Sequence, residues 1–232
     1  MKPKALIFDF DGTLAVLNID FNLMKERVAA LAARLGLAGP FPAGYLLEAV
    51  DEAAAVLGPG FKTAAWGLIQ EMEVAAAAQS SLFPFTLPLL ADLRAAGLKL
   101  AIITRNCAPA VKVLLPAIDE LVDAFIPREL ASRPKPHPDQ VLAACAALGA
   151  PPTLSVMVGD HPTDMQAAVA AGAFALGVAS GRAPAEELTL AGARLVLPDA
   201  SGLLASQPLT LGLSPDPAHP ADGSPRAPAP PA

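Results

Sequence analysis

Two aspartates one residue apart, Asp9 and Asp11, close the apolar run Ala5-Leu6-Ile7-Phe8. A short, uninterrupted apolar run reads as a strand buried on both faces. If that strand is central and parallel, its carboxyl end opens onto the crevice where α/β sheets bind ligands. Side chains two apart on a strand share a side, so the two acids face the same way unless the backbone bends. Paired carboxylates repel unless a cation or a proton lies between them. The pair therefore points to metal or proton-transfer chemistry. A plain Asp-Gly turn would account for Asp11-Gly12 but leaves Asp9 unexplained.

Three further groups sit where later strands end. Ala101-Ile102-Ile103-Thr104-Arg105-Asn106 closes one apolar run with a hydroxyl, a cation and an amide. Arg133-Pro134-Lys135-Pro136-His137-Pro138-Asp139 holds a lysine between stiffening prolines. Ser155-Val156-Met157-Val158-Gly159-Asp160-His161-Pro162-Thr163-Asp164 closes another run with two more acids. Each has a plain alternative: Thr104 ends a strand, Lys135 is a solvated loop charge, and Asp160 and Asp164 cap a helix starting near Met165. In a parallel sheet, however, all of them project into the crevice that receives Asp9 and Asp11.

Taken in order, the four groups resemble the four motifs of the haloacid dehalogenase superfamily, in the phosphatase branch similar to phosphoglycolate phosphatases. The resemblance covers residues 5 to about 180. It implies a Rossmann-like parallel sheet with helices on both faces and an inserted helical cap. It also implies a magnesium-dependent phosphatase working through an aspartyl-phosphate on a small phosphomonoester. Asp9 is then the nucleophile and Asp11 the general acid and base. Thr104 binds a phosphoryl oxygen, and Lys135 offsets the charge that accumulates there. Magnesium takes the Asp9 side chain, the Asp11 carbonyl and Asp160, while Asp164 holds its waters or orients Lys135. Gly12, Arg105 and Asn106 are the candidate substrate contacts. The family often places asparagine directly after the threonine; here Arg105 intervenes, and its planar donor fork suits a carboxylate or a second phosphate. His137 and His161 are given supporting roles, since imidazole is a poor partner for oxygen-preferring magnesium.

Other functions share parts of this set. A haloacid dehalogenase also attacks through aspartate, but it needs neither metal nor an acid at the second position. A phosphomutase similar to β-phosphoglucomutase would keep every motif. A non-catalytic binding protein with this fold would be free to lose Asp9, Asp11, Lys135 or Asp160, and all four are present.

The elements that must position these residues alternate. Apolar runs at Ala5–Phe8, Leu98–Ile103, Val122–Ile126, Leu154–Val158, Phe174–Val178 and Leu195–Leu197 are separated by helical patterns such as 85–96 and 137–148. That alternation predicts the α/β class with a parallel sheet. The interval from Asp20 to Ser81 holds no convincing strand, only helical patterns over Phe21–Leu35, Ala43–Leu57 and Phe61–Ala78. The expected organisation is a core of residues 1–16 and 82–205, a helical cap of residues 17–81, and a Pro-rich tail of residues 206–232. Asn18, Asp20 and Phe21 are candidate cap contacts near the hinge.

Of the 232 residues, 53% are hydrophobic and 16% charged, which suits a packed globule rather than a disordered chain. A net charge of -6 disfavours nucleic acid and anionic membrane as partners. The four apolar residues between Lys4 and Asp9 are too short for a signal peptide. The uncharged stretch 74–91 contains Pro84 and Pro88 and is not expected to span a membrane. Cys107 and Cys145 have no ligand spacing and read as buried and unbridged. The expectation is a cytoplasmic enzyme, monomer or homodimer, acting on a small-molecule phosphate ester.

Overall fold

Leu6 and Phe8 pack on one face of the strand they form, Ala5 and Ile7 on the other, and all four are fully buried. This strand is central, as its unbroken apolar character requires. The computed structural model describes residues 2–205; the Pro-rich segment 206–232 lies outside the described residues.

In chain order the strands are β1 (Ala5–Phe8), β2 (Ala15–Val16), β3 (Ser81–Leu82), β4 (Lys99–Ile103) and β5 (Ala124–Ile126), then β6 (Ser155–Gly159), β7 (Phe174–Val178) and β8 (Leu195–Leu197). Six form one parallel sheet in the order β5-β4-β1-β6-β7-β8, while β2 and β3 pair antiparallel as a separate ribbon. The chain leaves β1 toward β4 and β5, then crosses back to β6 on the other side of β1. That reversal opens a crevice at the carboxyl end of β1. Phe8 is level with Ile102 on β4 and Val158 on β6. The register therefore brings Asp9, Thr104 and Asp160 to the same end of the sheet.

The first helices, α1 (Phe21–Arg34), α2 (Leu46–Leu57) and α3 (Pro59–Ala77), lie between β2 and β3 in sequence. They pack together through Met24, Val28, Val50, Phe61 and Ile69. Asp20 caps α1 by accepting from the Leu23 amide at 2.9 Å, an interaction worth about 1 kcal/mol. The helix expected from Ala43 begins instead at Leu46, because Gly44 takes a left-handed φ of 91° that ends any helical run. The next helix begins earlier than expected, at Pro59, whose fixed φ suits a first turn.

The remaining helices cover the sheet. On the Leu6/Phe8 face lie α4 (Thr86–Ala95), α5 (Ala108–Leu114), α6 (Ile118–Leu121) and α10 (Gly202–Ala205), through Leu89, Leu90, Val111, Ile118 and Leu203. On the Ala5/Ile7 face lie α7 (Asp139–Leu148), α8 (Pro162–Ala171) and α9 (Ala185–Leu190), through Val141, Ala144, Met165, Ala168 and Leu188. Helices on both faces of a parallel sheet are the architecture the alternating pattern predicts. The two-residue strands β2 and β3 were not legible. They pair Ala15 with Leu82 and Val16 with Ser81, closing the base of the helical insert. Among the described residues no helix is long and apolar enough to cross a membrane.

Candidate active site

Past β1 the chain winds into a tight loop in which the Phe10 carbonyl accepts from the amides of Leu14 (2.9 Å) and Ala15 (3.0 Å). Phe10 is buried in the core, which leaves Asp9 and Asp11 on the crevice side of the backbone. Gly12 follows with a left-handed φ of 82°, and a methyl group built there would overlap Asp160 Oδ2. Methyl groups built at Gly181 and Gly159 would overlap Asp160 and Asp164 respectively. Glycine is required at these positions because the acids lie directly against the backbone.

Lys135 is 1% exposed, and its ammonium lies 2.7 Å from Asp9 Oδ1 and 2.5 Å from Asp164 Oδ1. Its loop is held by Gln140, which accepts from the Lys135 amide at 3.3 Å and donates to the carbonyls of Thr104 (2.9 Å) and Ile126 (3.2 Å). Burial pulls the Lys135 ammonium down, but Asp164 and Asp9 more than offset it and leave its pKa above the ordinary value. Asp164 Oδ2 also accepts from the His161 amide at 3.0 Å, within a capping box at the start of α8. Asp164 thus caps α8 and contacts Lys135 at the same time.

Asp9, Asp160 and Asp164 each offer a carboxylate oxygen within 4.8 Å of the others, all buried. Lys135 pairs with two of these three acids, Asp9 and Asp164. Burial pushes the Asp160 carboxyl up to about 8, and the charges of Asp9 and Asp164 add to the effect. Asp9 rises to about 6, again through burial first, although Lys135 opposes the shift. A set of hard oxygen donors with excess negative charge fits a divalent cation such as magnesium. Thr13 Oγ1 donates to Asp160 Oδ1 at 3.3 Å, and the Arg182 amide donates to Oδ2 at 3.3 Å.

Asp11 is held apart from this cluster. Its Oδ1 accepts from the Leu17 amide at 2.9 Å, and Oδ2 lies 4.0 Å from Arg182 Nη2. Burial pushes its carboxyl up to about 6, Leu17 N–H pulls the other way, and the charge of Asp9 adds to the rise. A carboxyl that keeps its proton toward neutral pH can deliver it.

Thr104 Oγ1 donates to Asn106 Oδ1 at 2.9 Å and accepts from the Asn106 amide at 3.0 Å. Arg105 forms a bidentate pair with Glu48 on α2, at 2.9 and 2.7 Å, and also donates to the Lys135 carbonyl. Its guanidinium stands over the Tyr45 ring at 5.1 Å. Arg105 and Asn106 line the crevice as expected, yet both already have protein partners. The nine candidate catalytic, metal and substrate residues line one cavity of about 430 Å3, roofed by Phe21, Met24, Tyr45, Leu47 and Ile69 from the insert; of the three candidate cap contacts Phe21 lines it, and Asn18 and Asp20 do not.

Sequence reasoning missed Glu48, Glu73, Arg128, Gln140 and Arg182. Arg182 had a signal: it follows the apolar run Phe174–Val178, another strand end. The other four act through tertiary contacts that no local pattern encodes. His161 accepts from the Thr163 amide at 3.2 Å, packs edge-on against Tyr45 and has its pKa lowered by burial, in keeping with a supporting role. Both cysteines are buried and unbridged, and burial, reinforced by Glu73, pushes the Cys107 thiol up to about 12.

Fold and site together define an α/β enzyme that gathers carboxylates and a buried lysine at the carboxyl end of a parallel sheet. The chain belongs to the haloacid dehalogenase-like hydrolase family, whose model matches residues 3–172. It is 30% identical to the probable phosphatase IndB of Dickeya dadantii, over 94% of this chain and 98% of that one. It is 36% identical to the phosphoglycolate phosphatase of Escherichia coli K12 over 43% of this chain and 40% of that one. The solved structure of CbbY from Rhodobacter sphaeroides in complex with phosphate is similar at 25% identity, with a TM-score of 0.63, covering 87% of this chain and 96% of that one. The expected hydrolase family, with phosphatases among the relatives, is borne out.

Proposed function

We propose that the protein is a magnesium-dependent phosphomonoesterase that hydrolyses a small soluble ester through an aspartyl-phosphate on Asp9. The observation that carries this reading is the separation of the two acids. Asp9 lies on Lys135 within the acid cluster, while Asp11, pinned by Leu17 N–H, is free of it and holds its proton toward neutral pH. A dehalogenase has no use for that second acid.

Asp9 attacks phosphorus, the bond from phosphorus to the leaving oxygen breaks, and the Asp11 proton passes to that oxygen. Water then attacks the phosphorus of the acyl-phosphate and gives its proton to Asp11, releasing phosphate and restoring the Asp9 carboxylate. Lys135 has three N–H donors; Asp9 and Asp164 occupy two, leaving one for a phosphoryl oxygen. The Thr104 hydroxyl turns from Asn106 to a second oxygen. Magnesium would be held by Asp9, Asp160 and the Asp11 carbonyl, with Asp164 on its waters, and would supply charge screening between the carboxylate and the phosphate.

Residues 17–81 act as the cap in this reading, and residues 1–16 and 82–205 as the core. The β2/β3 ribbon is the hinge, tied by Asn18, which donates to Ser80 Oγ at 2.9 Å and to the Gln79 carbonyl at 2.8 Å. The apolar roof excludes water from the reacting groups. The ester is phosphoglycolate-like or a similar metabolite, a choice supported by the phosphatases among the relatives. A panel of phosphomonoesters assayed for free phosphate with magnesium tests the reading. Turnover of at least one ester is expected, and release of no phosphate from any would contradict it.

A further inference from the structure

Glu73 and Arg128 form an ion pair that the proposed reaction does not use. Both side chains are buried, at 3% and 2% exposure, with Arg128 Nη1 donating to Glu73 Oε1 at 2.7 Å. They come from different bodies: Glu73 from α3 of the insert, and Arg128 from the one-turn helix Arg128–Leu130 after β5. Such a pair is a poor device for stability, because desolvating two charges offsets most of their attraction. Among the described residues Arg128 Nε has no hydrogen-bond partner, and the guanidinium stands over the Trp66 ring of α3 at 5.2 Å. Another role is called for.

Their remaining side-chain hydrogen bonds supply it, since all go to the segment Arg105–Cys107, which follows Thr104. Glu73 Oε2 accepts from the Cys107 amide at 3.1 Å, and Oε1 accepts from Asn106 Nδ2 at 3.4 Å. Arg128 Nη1 donates to the Arg105 carbonyl at 3.1 Å, and its own amide donates to the Asn106 carbonyl at 3.1 Å. Asn106 in turn holds the Thr104 hydroxyl. Around this pair Ala77 of α3 packs against Cys107 and Ala110, so the apolar contacts run along the same seam.

We infer that Glu73 and Arg128 are positioning residues: the pair clamps the Thr104–Cys107 segment and makes its order depend on α3 lying against it. The insert therefore sets the phosphoryl-binding side of the site as well as roofing the leaving group. This inference rests on the phosphatase reading for its kinetic consequence, but the clamp itself can be measured without turnover.

The test compares the full chain with the double variant Glu73→Met/Arg128→Met, which keeps volume and removes both charges, and with Glu73→Gln, which keeps an acceptor for the Cys107 amide. In the double variant kcat/KM is expected to fall about 10- to 100-fold, the scale of a slightly misplaced reactive group. The factor should be the same for nitrophenyl phosphate and for an alkyl phosphate. Inhibition by orthovanadate should weaken in parallel, and hydrogen exchange over 104–110 should accelerate. Glu73→Gln should fall between wild type and the double variant. If Glu73→Gln strands the Arg128 charge and unfolds, the double variant carries the test. A loss that depends on the leaving group, with vanadate inhibition unchanged, would make Glu73 a leaving-group contact and overturn the clamp. Lower thermal stability with kinetics and exchange unchanged would overturn it as well. If wild type hydrolyses no ester while exchange still accelerates in the variants, the phosphatase reading fails and the clamp stands.

Discussion

Lys135 and Asp9 are 126 residues apart in the chain, and their side chains meet at 2.7 Å in a buried ion pair. The contact joins the loop before α7 to the end of β1, and Asp164 completes it from α8. Removing the ammonium leaves buried carboxylates unpaired. Lys135→Met is expected to lower stability by about 3–5 kcal/mol in urea titrations without divalent metal. It should also lower kcat about 10²- to 10³-fold, as loss of a charge-stabilising donor does. A variant as active as wild type would remove Lys135 from the chemistry.

Asp11 is expected to act only through its proton. Asp11→Asn should cost about 10²- to 10⁴-fold in kcat for alkyl phosphates. The loss should be much smaller for nitrophenyl phosphate, whose leaving group needs no proton. Equal losses on both esters would count against Asp11 as the acid.

The buried acids of the site predict how stability follows pH. Asp9 and Asp11 are raised from 3.8 to about 6, and Asp160 to about 8. Between these values and 3.8 the folded protein holds protons that the unfolded chain has released, so stability falls as pH rises. With a chelator present, urea unfolding should show declining stability from about pH 5 to about pH 8. Magnesium should raise the thermal midpoint more at the upper end of that range than at the lower. A chelated protein that grows more stable across it would contradict the assignment.

Gly181 gives a steric test of the same site. It needs no unusual φ, but a methyl group there would overlap Asp160 Oδ2. Gly181→Ala should raise the magnesium concentration for half-maximal activity by about tenfold or more, as loss of a ligand's support does. Gly60→Ala, at a position with open space, should leave it unchanged. Identical metal dependence in both variants would detach Asp160 from the metal.

What could be read from the chain before its fold was known followed from physical locality. Ala5–Phe8 announced a buried strand because four consecutive apolar residues have few other uses, and the register of a parallel sheet then aligned its acids with Thr104 and Asp160. Asp9 and Asp11 were separable in role only by family resemblance, since their division depends on which one Leu17 N–H and Lys135 reach. Glu73 was invisible: it is one of several acids in a helical run, and nothing local distinguishes it from solvent-facing Glu71. The β2/β3 ribbon was invisible for a different reason, because two residues carry no periodicity. Gln140 carries no local signal within its helical run, yet it fastens the Lys135 loop to the end of β4.

The most direct measurement of the central claim is the chemical state of Asp9 during turnover. Wild-type protein with magnesium, mixed with its best ester and quenched in acid within a turnover, should carry one phosphoryl group on the Asp9 peptide by mass spectrometry. Asp9→Asn should carry none and release no phosphate. A phosphoryl group on another residue, or undiminished phosphate release from Asp9→Asn, would contradict the account.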